Sequence, residues 1–174
     1  MSETFEVIII GGGPGGYVCA IRSAQLGFKT ACIEFKNTLG GTCLNVGCIP
    51  SKSLLNLSEN FNKARKNFSD LGITTGQVTL NLPKMMKTKD KSVKILTKGI
   101  EFLFKKNKVT HIKGKASLRS NNEIIVQENN SQKIYKANNI IISTGSEPTS
   151  LPGIKIDEKI IVSSTGALSF SKVP

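Results

Sequence analysis

The chain has 174 residues, 39% of them hydrophobic, and its 24 Lys and Arg against 12 Asp and Glu give a formal net charge of +12. That length can bury one sizeable core, and no apolar run approaches the roughly 20 residues that carry a helix across a bilayer. The basic excess does not by itself make a nucleic-acid binder, because aromatics are only 6% of the chain and no RNA-binding motif or stacking pattern accompanies the lysines.

The first residues, MSET, carry no basic n-region and no Arg-rich presequence, so a cytoplasmic location is expected. Residues 5–10 (FEVIII) read as a buried strand, 11–16 (GGGPGG) as a glycine turn, and Tyr17, Ala20, Ile21, Ala24 and Leu26 as the apolar stripe of a helix. Strand, glycine turn and helix supply the context a GxGxxG motif requires. Gly11 permits the tight turn, Gly13 lets the backbone approach a pyrophosphate, and Gly16 allows close packing of helix on strand. The phosphates belong at the helix N-terminus. A second strand at 29–33 (KTACI) ends at Glu34, about twenty residues past the glycines, where a carboxylate can hold ribose hydroxyls. The fold class is therefore α/β, a Rossmann-like βαβ dinucleotide-binding domain.

Residues 40–52 (GGTCLNVGCIPSK) set Cys43 and Cys48 between glycines, just before a proline and a lysine. In a regular helix this five-residue step turns about 500°, leaving the side chains about 140° apart around the axis, too divergent for a disulfide. The backbone must bend between them, with Gly47 supplying the freedom and Pro50 suiting a first helical turn. So short a loop removes little unfolded-state entropy, so a redox-active disulfide explains the pair better than a structural staple. Zinc is the competing reading, but only Cys19, Cys32 and the single His111 remain as further ligands, and both cysteines sit in apolar runs. No metal is expected, and Cys19 and Cys32 are expected to remain reduced core residues. A disulfide close behind a dinucleotide unit needs an electron donor, and a flavin can pass two electrons to it, so FAD is favoured over NAD for this unit.

A helix over 50–68 follows, with Leu54, Leu57 and Phe61 on one face, then a link at 70–76 and a helix over 83–105. Met85, Met86, Val93, Leu96, Ile100 and Phe104 in that second helix read as core contacts. The lysines at 84, 87, 89, 91, 94 and 98 read as a solvated face. Segments 109–112, 115–118, 123–127 and 133–135 suggest a small antiparallel insertion with turns at 120–122 and 128–131. His111 falls in this stretch and reads as a satisfied structural histidine, not a base. No internal repeat or low-complexity linker occurs.

The glycine turn, the cysteine motif with its Leu44, Ile49 and Ser51, residues 140–148 (IIISTGSEP) and residues 151–154 (LPGI) together resemble the pyridine nucleotide-disulfide oxidoreductases, along the whole chain. The resemblance implies catalytic roles for Cys43, the interchange thiol that meets substrate, and for Cys48, which lies against the flavin and forms a charge-transfer thiolate when reduced. It implies FAD contacts from Gly11, Gly13, Gly16, Glu34, Gly41, Thr42 and Lys52, from Gly114 and Ala116 on the adenine side, and from Thr144, Gly145 and Ser146 in the second flavin-contacting turn. Lys52 would stand beside the reactive edge of the isoalloxazine. Family members have a two-segment FAD domain, an intervening NAD domain and a C-terminal dimerisation domain. Residues 1–150 are thus expected to be the first FAD segment, and 151–174 a connector toward an NAD-binding domain that the chain lacks. The implied activity is reoxidation of protein-bound dihydrolipoamide with NAD as final acceptor, serving a lipoyl domain of a 2-oxoacid dehydrogenase or glycine cleavage complex from a homodimer. Mercuric or glutathione reduction, or a non-catalytic nucleotide-binding remnant, are the alternatives. The 174-residue chain alone is expected to be inactive, because the family's acid/base His–Glu pair lies in a C-terminal domain.

Overall fold

A computed structural model describes residues 3–128 and 131–174 of the chain. The unbroken apolar run at 7–10 lies in strand β1 (Glu3–Ile10), at the centre of a six-stranded sheet. Its lack of alternation has a structural cause, since Val7, Ile8 and Ile9 are all buried, as expected of a parallel strand covered on both faces. Helix α1 (Pro14–Gln25) connects β1 to β2 (Thr30–Glu34), which pairs parallel with it from Val7↔Thr30 to Ile10↔Ile33. Gly16 makes that packing possible. A Cβ there would drive into the Gly11 carbonyl and come to 3.4 Å from Ile9 Cγ2.

Strands β3 (Thr110–Lys113), β4 (Lys115–Leu118), β5 (Glu123–Glu128) and β6 (Ser131–Ile142) complete the sheet in the order β3-β2-β1-β6-β5-β4. The antiparallel expectation holds for β4, β5 and β6 but not for β3, which pairs parallel with β2. Four residues do not reveal their partner. Segments 133–135 and 140–142, read as separate, are one strand, β6, which also runs parallel to β1 from Glu3↔Tyr135 to Ile10↔Ile142. Of the turn expected at 128–131, Asn129 and Asn130 lie outside the described residues. Phe5, Ile8, Ala31, Ile33, Ile112, Ile124, Val126 and Ala137 form one buried cluster, where each large side chain contributes about 1.5–3 kcal/mol by leaving water.

The chain divides into two compact units, one of Met1–Asn45 with Leu96–Glu147 and the other of Val46–Ile95 with Pro148–Pro174. Helix α2 (Gly41–Val46) is followed by α3 (Cys48–Asn62), which continues through a π-helical turn at Lys63–Asn67 and a 3-10 turn at Ser69–Leu71 to Gly72, where φ is +74°. Helix α4 (Leu82–Lys106) carries the lysines, and α5 (Ser164–Ala167) is a single turn. Ile100 and Phe104 are buried as expected, whereas Leu96 is 43% exposed. Lys89 departs from the solvated face. It is buried, its Nζ donates to the Leu168 carbonyl at 2.9 Å, and it lies 2.9 Å from Asp90 Oδ1. Met85 and Met86, read as core, are half-buried and border a cavity of about 400 Å³ within the second unit, together with Leu54, Leu168 and Phe170.

Candidate functional site

The carboxyl ends of β1 and β2 converge on the glycine turn. Gly11 N–H donates to the Ile33 carbonyl at 2.8 Å, and Ser143 N–H donates to the Ile10 carbonyl at 2.8 Å, so the turn leaves the sheet with a strand end on either side. Glu34 is buried, and its Oε2 accepts the Gly12 N–H at 2.7 Å while Oε1 accepts the Lys36 N–H at 2.8 Å. Each carboxylate oxygen has a second lone pair for a ribose hydroxyl. The Glu34 carbonyl accepts the Gly114 N–H at 3.0 Å, which brings Gly114 to the end of β2; Ala116 lies two residues further on, in β4 opposite Val126.

The cysteine motif is anchored to that turn by its leading glycines. Gly40 N–H donates to the Gly12 carbonyl at 2.8 Å. Gly41 has φ +57°, and a Cβ on it would sit 2.6 Å from Gly13 Cα, so only glycine lets the two loops touch. A Cβ on Gly13, by contrast, would meet nothing nearer than Gly41 Cα at 3.7 Å. Room is open above Gly13, and α1 begins there with no side-chain cap and no acidic residue in its first turn. Uncapped N–H groups facing open space at a helix N-terminus are the donor set a pyrophosphate needs. The residues present fit FAD. Thr144, Gly145 and Ser146 lie exposed just past β6, in the first unit with Thr42 and the glycines.

Cys43 and Cys48 are joined in a disulfide. The expected bend is at Gly47, with φ −144° and ψ −113°, and it separates α2 from α3. Cys43 is half-buried on α2, and Cys48 is exposed at the first position of α3. That helix also starts without a side-chain cap or an acidic residue in its first turn. Pro50 is buried two positions further on, where its missing N–H would have had no helical partner. Lys52, exposed, follows Cys48 by one turn on the same helix.

Asn45 was assigned no role from sequence. Its Nδ2 donates to the carbonyls of Leu39 at 3.2 Å and Gly41 at 2.9 Å, and its Oδ1 accepts from Thr38 Oγ1 at 2.7 Å. It holds the loop leading into Cys43; its place between two cysteines was the only signal. Cys19 and Cys32 are free thiols. Burial first, then the charges of Glu34 and Cys19, push the Cys32 thiol up to about 12, so it is chemically inert. His111 is less satisfied than expected. It is half-buried in edge-to-face contact with Phe104, and its Nε2 has no hydrogen-bond partner. Among the described residues no group of three or more His, Cys, Asp or Glu could hold a metal ion, and no helix is long and apolar enough to cross a membrane.

Sheet order and glycine turn define a doubly wound dinucleotide-binding fold, here with a disulfide following the turn. The sequence model of pyridine nucleotide-disulphide oxidoreductases matches residues 5–174. The chain belongs to that family. It is 56% identical to dihydrolipoyl dehydrogenase 1, mitochondrial, of Arabidopsis thaliana over 99% of its own length and 34% of that relative's. It is 56% identical to the mitochondrial dihydrolipoyl dehydrogenase of Mesocricetus auratus over 97% of its length and 36% of the relative's. Leghemoglobin reductase of Glycine max is 55% identical over 99% of this chain and 33% of that protein. Among solved structures, a copper(II) complex of the HOCl-induced flavoprotein disulfide reductase RclA from Escherichia coli superposes with a TM-score of 0.78 at 26% identity, covering 100% of this chain and 36% of that one. The chain therefore spans about a third of the length of these relatives. FAD is the cofactor of this N-terminal part of the family's chain, with NAD bound by a later part. The cytoplasmic location is overturned, because close relatives are mitochondrial enzymes. A presequence is a removable address, and not finding one in a stretch of sequence does not locate a protein.

Proposed function

We propose that this chain is the FAD-binding N-terminal part of a mitochondrial dihydrolipoamide dehydrogenase, with residues 1–150 the first FAD segment and 151–174 the connector to the NAD domain. The assigned contacts are Gly11, Gly13, Gly16 and Gly41 for the pyrophosphate cradle, Glu34 for ribose, Gly114 and Ala116 for adenine, and Thr42, Lys52 and Thr144 to Ser146 for the rest. The observation that carries the reading is the position of Cys48, disulfide-bonded to Cys43 and set on the uncapped N-terminus of a 15-residue helix.

That position orders the exchange. A dihydrolipoamide thiolate attacks Cys43 Sγ, the Cys43–Cys48 bond breaks, and Cys48 departs as the thiolate that the helix dipole stabilises; the better-stabilised sulfur leaves faster. The second substrate thiol attacks its own sulfur in the mixed disulfide, closing the lipoamide ring and freeing Cys43. Two electrons and one negative charge now reside on the dithiol pair. FAD, held at the Gly11 to Gly16 turn and Glu34, would supply a two-electron acceptor for that pair, and Cys43 and Cys48 return to the disulfide as the pair leaves them. Lipoyl domains of 2-oxoacid dehydrogenase or glycine cleavage complexes are the partners, and a homodimer is the working form.

The test is steady-state turnover of the full-length polypeptide loaded with FAD, with dihydrolipoamide, glutathione disulfide and leghemoglobin offered separately. NAD⁺-dependent oxidation of dihydrolipoamide is the expected result, and preference for either other substrate would refute the assignment.

A further inference from the structure

We propose that Lys36 is a cofactor-positioning cation, paired with Glu147 across the strand ends and able to pass from that carboxylate to the dinucleotide's diphosphate. The inference rests on the FAD-binding reading of the cleft. Lys36 lies two residues past the end of β2, and Glu147 five residues past the end of β6. Strands β2 and β6 are the two neighbours of β1. An ion pair between Lys36 and Glu147, at 3.9 Å, therefore spans the carboxyl end of β1, where the chain enters the Gly11 to Gly13 turn and the open N-terminus of α1.

The Lys36 backbone is fixed and its head group is not. Its N–H is bonded to Glu34 Oε1 at 2.8 Å, so the residue is tied to the carboxylate assigned to the ribose. Its Nζ stands 5.6 Å from the centroid of the exposed Phe35 ring and reaches Glu147 only at the outer limit of an ion pair. Side-chain exposures of 38% and 78% place the pair largely in water, and such a pair contributes little net stability. The Glu34 carboxylate, the nearest other acid in sequence, already accepts two backbone N–H groups. A diphosphate on the α1 N-terminus would bring a denser negative charge than a single carboxylate and strong acceptor oxygens to the same strand ends. Exchange of Lys36 from Glu147 to phosphate costs little and gains a charge-assisted hydrogen bond.

The two partners of a simple brace would behave alike on mutation; here they must behave oppositely. Calorimetric titration of the full-length apoprotein with ADP and with FAD, repeated across salt concentrations, is the experiment. Lys36→Gln should weaken both ligands by roughly three- to ten-fold, the size of one partly screened charge contact, and flatten their salt dependence. Glu147→Gln should tighten both by about two-fold or more, because it removes the competing carboxylate. Lys36→Arg should restore affinity. Equal weakening by Lys36→Gln and Glu147→Gln, or no change in either, overturns the proposal while leaving FAD binding in place. Failure of the unmodified protein to bind FAD or ADP would instead remove the reading beneath it.

Discussion

At the first position of α3, Cys48 stands at the N-terminus of a helix that has no side-chain cap and no acidic residue in its first turn, whereas Cys43 sits within the six residues of α2. The difference assigns the sulfurs unequal chemistry and gives a spectroscopic prediction. In the FAD-loaded full-length protein, Cys43→Ser should leave the Cys48 thiolate with a long-wavelength charge-transfer absorbance, and Cys48→Ser should abolish it. Identical spectra for the two variants would refute the roles. His111 offers a second prediction at this scale. Burial, and then the charge of Lys113, hold its imidazolium below the ordinary 6.5, while Glu101 and Glu34 pull weakly the other way. The folded state therefore resists protonation more than the unfolded chain does. Its contribution is fully present above the unfolded value and is lost as pH falls through the window beneath it. Urea midpoints should drop as pH falls below 6.5, and His111→Gln should reduce that drop; an unchanged slope in the variant would exclude His111 as the source.

Helix α1 is held against β1 at Gly16, where any side chain meets the Gly11 carbonyl. Gly16→Ala should destabilise the fold by about 2 kcal/mol or more, since the obstacle is backbone that cannot step aside, and should weaken FAD retention because the helix N-terminus moves with it. A wild-type denaturation midpoint in that variant would contradict the packing. In the second unit, Lys89 joins α4 to the segment at Leu168 by its bond to that carbonyl. Lys89→Met keeps the stem and loses the donor, leaving the carbonyl without its partner at a cost of about 1–3 kcal/mol. Chemical denaturation of the variant against Lys84→Met, an exposed lysine of the same helix, separates this bond from a general effect of charge.

For the whole molecule, the relevant fact is that the chain covers about a third of its relatives' length. The argument for activity is one of parts: catalysis needs a site that orients the nicotinamide and a group that takes the substrate thiol's proton, and the roles proposed above for the described residues include neither. Purified alone, they are expected to show no NAD⁺-dependent oxidation of dihydrolipoamide. Turnover comparable to that of the full-length enzyme would overturn this. Apolar side chains such as Ile142, Leu151 and Ile160 are 63%, 66% and 88% exposed, so weak flavin retention and self-association are also expected, to be read from light scattering and bound flavin.

The nucleotide turn and the disulfide were legible in sequence because their constraints are local. Glycines 11, 13 and 16 are demanded by a turn and by contacts a few residues away, and the bend at Gly47 follows from helical geometry over five residues. Fold class and the disulfide needed nothing more, and the family followed from the resemblance of the same motifs. The tertiary structure decided what depends on partners distant in sequence. It placed β3 beside β2, joined 131–142 into one strand with antiparallel and parallel neighbours on its two sides, and buried Lys89 in a row of lysines that otherwise faces solvent. It also brought Lys36 and Glu147 together across β1 from 111 residues apart in the chain. Periodicity records which face of an element is apolar; it does not record which element covers that face, because burial energy is non-directional and the choice among partners is made only when the whole sheet assembles.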